Sequence, residues 1–168
     1  MTRILGIDPG SVITGIGIVD SRSGQVVHVH HQAIKTGSGS FPERLKVIFE
    51  EISGIIHTHQ PDTVAVESVF VSKNADSALK LGQARGAAIC AAVAMNRDVA
   101  EYTPRHVKQA IVGRGSAEKQ QIQHMIGLLL SIKDAIQSDA ADALGVAVCH
   151  AHHLQTGEKM ARNARGWA

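Results

Sequence analysis

Ile4-Leu5-Gly6-Ile7-Asp8-Pro9-Gly10, followed by Thr14-Gly15-Ile16-Gly17-Ile18-Val19, decides how the chain begins to fold. The first run is short and apolar and stops at Asp-Pro-Gly, a turn signal. The second alternates glycine with isoleucine and closes at Asp20-Ser21-Arg22-Ser23-Gly24. Val26–His30 then alternates valine with histidine. Three strands joined by tight turns make an antiparallel meander. Gly15 and Gly17 strip the side chains from one face of the second strand, which leaves room for a helix to lie close against it.

Outward from this meander the pattern changes period. Ser40, Pro42 and Glu43 form a capping-box start. Leu45, Ile48, Phe49, Ile52, Ile55 and Ile56 then recur at the spacing of an amphipathic helix that ends near His59-Gln60-Pro61. Thr63–Val66 is a short apolar strand ending at Glu67, and the succession strand, helix, strand suggests a parallel crossover. Asp76–Met95 predicts a long helix rich in alanine and glycine, suited either to packing inside its own domain or to close approach of a second subunit. Val99–Tyr102 is a further strand. Thr103-Pro104 opens a helix that ends at Gly113 or Gly115, Ser116 is placed to cap the next, and Ser138 to cap the last. The predicted order is β-β-β-α-β-α-β-α-α-α, an α/β domain with a mixed sheet and helices on its faces. It spans residues 1–155, with a flexible basic tail over 156–168.

The 168 residues suit one domain with one sizeable core. At 44% hydrophobic the chain is no disordered tail. No run approaches the roughly 18 apolar residues of a membrane span, and the start lacks a signal-peptide pattern, so a soluble cytoplasmic protein is expected. Cys90 and Cys149 lie far apart in apolar runs and are read as two buried, reduced thiols. The formal charge is only +2, but from Lys73 to Lys119 eight Lys and Arg stand against four Asp and Glu. A basic middle suits a phosphate-rich partner. His28, His30, His31, His150, His152 and His153 are read as surface histidines rather than a metal cluster, with His28 and His30 sharing a face because alternate strand residues do.

Four carboxylates stand out by their surroundings. Asp8 and Glu67 each end an apolar strand, and ligands in open α/β sheets bind beyond the carboxyl ends of strands. If the first and fourth strands are parallel neighbours, the two converge. Asp139 and Asp142, three apart in the first turn of a helix, share a face and gain from the helix dipole. An ionised carboxylate near a core is costly, and a divalent cation offsets that cost. Oxygen-only ligands suit Mg²⁺ or Mn²⁺ rather than zinc. Two such ions about 4 Å apart activate a water and stabilise the leaving oxygen of an in-line phosphoryl displacement.

Longer motifs now come into view: Gly6-Ile7-Asp8-Pro9-Gly10, Val66-Glu67-Ser68-Val69-Phe70, Asn74–Gly86, Gly115-Ser116-Ala117-Glu118-Lys119 and Asp139-Ala140-Ala141-Asp142-Ala143. In this order, over nearly the whole chain, they resemble the RuvC family of Holliday-junction resolvases. The resemblance implies a ribonuclease H-like fold with a five-stranded sheet. It also implies a homodimer that nicks two opposing strands of a four-way DNA junction in recombination and repair. In the family the four carboxylates bind magnesium, so that role falls to Asp8, Glu67, Asp139 and Asp142. Phe70 is implied to open or stack on bases, and an exposed aromatic beside an active site suits that task. Lys108 and Lys119 match basic family positions, while Lys73, Arg85 and Arg114 are weaker candidates for DNA contact. RuvA and RuvB are the partners implied. The rivals are an actin-like ATPase, which shares the Gly-Ile-Asp-x-Gly opening but needs a second lobe, a junction-binding protein without chemistry, and a relative that cuts RNA–DNA hybrids or trims ends.

Overall fold

Strand alternation at the start of the chain sorts the core into two halves. The computed structural model describes residues 1–68 and 74–165, with side chains placed as far as 157. In β1 (Thr2–Asp8), Leu5 and Ile7 point to one face of the sheet, while Ile4, Gly6 and Asp8 point to the other. β2 (Ile13–Arg22) and β3 (Gln25–Lys35) complete the antiparallel meander. α1 (Phe41–His59) starts as expected, with Glu43 reaching back to accept from both the Ser40 N–H and its hydroxyl at 2.7 Å. β4 (Thr63–Glu67), α2 (Ala75–Ala94) and β5 (Asp98–Tyr102) follow, then α3 (Pro104–Val112), α4 (Lys119–Leu129) and α5 (Ser138–Arg165). Element for element, this is the predicted order. The sheet runs β3-β2-β1-β4-β5, with β4 parallel to both β1 and β5.

The parallel partner of β4 is β1, not the strand that precedes α1. β3 lies at the far edge of the sheet, and the crossover between adjacent strands is β4–α2–β5. One half of the core packs Leu5, Ile7, Ile16, Ile18, Val64 and Val66 beneath α1 and α2. The other packs Ile4, Val19 and Ala65 beneath α5, with α3 and α4 laid over it. α5 therefore lies between the sheet and other helices, which is why Ala140, Ala141, Ala143, Leu144, Val146, Ala147 and Val148 are all buried.

Glycine brings α5 onto the sheet. A Cβ added at Gly15 would strike the Asp139 carbonyl, one at Gly6 the Ala143 carbonyl, and one at Gly17 would lie 2.5 Å from the Leu144 nitrogen. The expectation that Gly15 and Gly17 make room for a helix holds, and Gly6 joins them.

Four sequence readings need correction. Cys90 is exposed, since the buried face of α2 is Ala84, Ala88, Ala91 and Ala92, and Cys90 falls on the opposite side. His28 and His30 do not share a face. β3 has a bulge where Ile18 pairs His30 and Val19 pairs His28, so the extra residue Val29 shifts the alternation. His28 meets His31 at 2.9 Å, while His30 stacks on His59 of α1 with ring centroids 4.7 Å apart. α4 starts after Glu118 rather than at Ser116. His150 of α5, read as a surface histidine, is buried. Among the described residues, no helix is long and apolar enough to cross a membrane.

Candidate active site

Register places the first two carboxylates. Ile7 pairs Val66 across the parallel β1–β4 ladder, and one residue further on both strands Asp8 and Glu67 emerge side by side. Both lie on the α5 face, because each is an even number of residues from Gly6 or Ala65. The third element is the start of α5. Gly15, the partner of Asp8 in β2, lies directly under the Asp139 backbone. Three separate pieces of sequence thus bring Asp8, Glu67, Asp139 and Asp142 to one end of one face.

The turn behind Asp8 is fixed from two sides. Thr14 Oγ1 accepts from the Gly10 N–H at 3.2 Å and donates to the Gly10 carbonyl at 2.9 Å. Arg44 of α1 donates to the Ser11 carbonyl and, at 3.1 Å, to Thr36 Oγ1. Arg44 is absent from the sequence-derived site, since nothing local marks a contact across 33 positions.

The four carboxylates concentrate negative charge in a partly buried place. Burial pushes the Asp8 carboxyl up to about 8, and the charges of Glu67, Asp142 and Asp139 add to the effect. Burial and then Asp142 push Glu67 up to about 7, against a hydrogen bond with Asp8 and the pull of Lys119 and Lys108. The two carboxyls titrate as a pair that holds a proton between them. Lys119 Nζ lies 2.8 Å from Asp142 Oδ2, and that hydrogen bond holds the ammonium above its ordinary range. Glu67, Asp142, Lys108 and Lys119 line a cavity of about 180 Å³, with Pro104, Val107 and Ile122 as its apolar wall. Among the described residues no three His, Cys, Asp or Glu side chains are gathered tightly enough to grip one ion as they stand. The donors are nevertheless all carboxylate oxygens, and two are held against their own charge, which fits a hard divalent cation.

The other basic candidates are placed differently. Arg114 is exposed in the loop after α3, beyond the αL cap Gly113, and does not line the cavity. The Arg85 guanidinium is committed to Glu101 of β5 on the α2 side of the sheet, so its charge is already partnered. Phe70 and Lys73 lie outside the described residues.

A mixed sheet in this order, with carboxylates at the ends of β1 and β4 and the start of a helix crossing them, is an α/β architecture of the ribonuclease H-like class. Comparison with known proteins narrows this. The family model described as "Crossover junction endodeoxyribonuclease RuvC" matches residues 4–150. A crossover junction endodeoxyribonuclease RuvC of Methylococcus capsulatus is 57% identical over 165 residues, covering 98% of this chain and 99% of that protein. One from Stenotrophomonas maltophilia is 52% identical over 167 residues, with coverage of 98% and 96%. The T. thermophilus RuvC structure in complex with a Holliday junction substrate superposes with a TM-score of 0.87 at 33% identity, covering 94% of this chain and 97% of that one. A yeast mitochondrial Holliday junction resolvase, 10% identical with a TM-score of 0.67 and coverage of 99% and 86%, shares the fold. The chain belongs to the RuvC family of crossover junction endodeoxyribonucleases.

Proposed function

We propose that this protein resolves four-way DNA junctions by paired nicks, using Asp8, Glu67, Asp139 and Asp142 to hold two Mg²⁺ ions per subunit, with Mn²⁺ able to substitute. The observation that carries the reading is the convergence of Asp8 and Glu67 with the first turn of α5, with two of the carboxyls pushed up to about 8 and 7. Such a cluster releases protons when it takes up cations, and it binds them in the deprotonated form. Bound there, divalent ions supply an activated water and a stabilised leaving oxygen for phosphodiester hydrolysis. The chain's own part is to orient. The strand ends and the α5 turn fix the four carboxylates, and Lys119 balances Asp142 on the cavity side. Lys108 and Lys119 bring positive charge to the rim where a phosphate would approach. Phe70, Lys73 and Arg114 remain proposed DNA contacts, and Arg85 is the weakest of the set because Glu101 already pairs with it.

The substrate class rests on the family and on the relative bound to a Holliday junction. A two-fold junction suits a two-fold enzyme, and the outer face of α2 supports a homodimer. Leu79 and Val93 are exposed there at 67% and 58%, and a Cβ at Gly82 or Gly86 meets nothing within the chain. Leu79, Gly82, Gly86 and Val93 are spaced three, four and seven positions apart, so they form one stripe. RuvA and RuvB are proposed as the working partners in recombination and repair, in the cytoplasm.

The test is cleavage of a labelled four-way junction beside a linear duplex of the same sequence, with Mg²⁺ and with chelator. Symmetric paired nicks in the junction alone, and only with metal, are expected. Equal cutting of both substrates leaves a general two-metal nuclease, and binding without cutting leaves a junction-binding protein.

A further inference from the structure

His150 is 5% exposed, deep in α5, and both of its ring nitrogens have partners. Nδ1 lies 2.7 Å from the Tyr102 hydroxyl and Nε2 3.3 Å from Thr63 Oγ1. Burial, and then His153, pushes this imidazole down, so it is neutral. Burial pushes the Tyr102 phenol up to about 12, so it keeps its proton. The directions of the bonds follow. Tyr102 donates to Nδ1, Nε2–H donates to Thr63 Oγ1, and the Thr63 hydroxyl donates to the Asp98 carbonyl at 3.3 Å. Every member has one role, and the chain runs from the end of β5 through α5 to the start of β4.

Tyr102 is held at its other side as well. Its carbonyl accepts from the Ser68 N–H at 2.8 Å and from the Ser68 hydroxyl at 3.2 Å. Ser68 directly follows Glu67, and Glu67 pairs Tyr102 in the β4–β5 register. One residue therefore joins α5, which carries Asp139 and Asp142, to the backbone beside Glu67. His150 is eight residues after Asp142, a little over two turns along the same helix.

We propose that Tyr102 and His150 form a positioning clamp, holding Glu67 in register with the α5 carboxylates without touching the DNA or a metal. The proposal rests on the nuclease reading above. Displacing a reacting group by about 1 Å costs on the order of a hundredfold in rate, so loss of one anchoring bond is expected to cost about tenfold.

The experiment measures single-turnover cutting of a four-way junction at saturating Mg²⁺, junction binding in Ca²⁺, and thermal melting, for the full chain and four variants. Tyr102→Phe removes only the hydroxyl, His150→Gln keeps one acceptor and one donor, and His150→Leu keeps neither. Ile52→Val, on the far face of the sheet, controls for simple loss of stability. The expected result is cutting slowed about tenfold in Tyr102→Phe and more in His150→Leu, with His150→Gln between wild type and His150→Leu. Junction affinity stays at the wild-type level, and Ile52→Val cuts normally at a similar or lower melting temperature. Normal cutting by Tyr102→Phe overturns the clamp. So does a loss that tracks melting temperature across all four variants, or one that appears in affinity alone. A wild-type protein that fails to cut the junction at all refutes the nuclease reading instead.

Discussion

Replacing Asp8 with Asn is expected to stabilise the metal-free protein while ending its cutting of DNA. The unfolded chain gives up the Asp8 proton near its ordinary value of 3.8, and the folded chain holds it to about 8. Between those two values folding takes up a proton, so stability falls as the pH rises from about 4 to about 8. At about 1.4 kcal/mol for each tenfold in proton affinity, the whole displacement is worth roughly 6 kcal/mol. Glu67, pushed up to about 7, shares the same repulsion and keeps part of it when Asp8 is neutralised. The gain expected for Asp8→Asn at pH 8 in chelator is therefore about 2 kcal/mol, or roughly 4–8 °C in Tm for a chain of this size. The assay is thermal melting in EDTA at pH 8 and pH 5, then at pH 8 with Mg²⁺. The gain shrinks at pH 5, where wild-type Asp8 already holds its proton when folded. With Mg²⁺ the order reverses, since ion binding stabilises only the form that keeps the ligand. An Asp8→Asn protein that melts below wild type in EDTA at pH 8 would refute the reasoning, as would a gain identical at both pH values.

Three further outcomes follow from the same geometry. Lys119→Ala leaves Asp142 without its cation and is expected to slow junction cutting on the order of a hundredfold at saturating metal, measured as a single-turnover rate. Gly15→Ala drives a methyl into the Asp139 backbone and is expected to cost about 3 kcal/mol in urea unfolding, together with most of the activity; Gly54→Ala, within α1 with open space around an added Cβ, serves as a comparison. Leu79→Glu with Val93→Glu places like charges on the outer stripe of α2 and is expected to yield a monomer in sedimentation with an unchanged circular dichroism spectrum.

How much of this was legible in the sequence depends on the range of the forces involved. Asp8 and Glu67 could be read because each ends an apolar run, and a strand that carries its burial pattern up to a lone carboxylate announces where it leaves the core. The capping box at Ser40 and the helix periodicity after it are likewise local. What could not be read is set by pairing at a distance. The bulge at Val29 has no glycine or proline to mark it, yet it moves His30 to the α1 face and leaves His28 and His31 together on the other. The strand, helix, strand succession around α1 is a parallel crossover, but it passes over β2 and β1 rather than joining neighbours, because β1 occupies the place beside β4. Arg85 reads as a free cation in a basic stretch until Glu101, sixteen positions away, is brought against it.

The glycines lie between these extremes, and they link fold to function. Gly15 and Gly17 signal a close approach without saying which helix makes it. In the fold that helix is α5, and its backbone meets the sheet at Gly6, Gly15 and Gly17. Side chains at these points would hold the helix off by the width of at least a methyl group, and with it Asp139 and Asp142. The separation between the α5 carboxylates and the Asp8–Glu67 pair is therefore set by three residues that have no side chains. A metal site bridging strand and helix needs that spacing held to a fraction of an ångström. It follows that the glycines constrain the chemistry as strictly as the acids do, and that restoring a lost carboxylate cannot rescue a variant in which α5 no longer reaches the sheet.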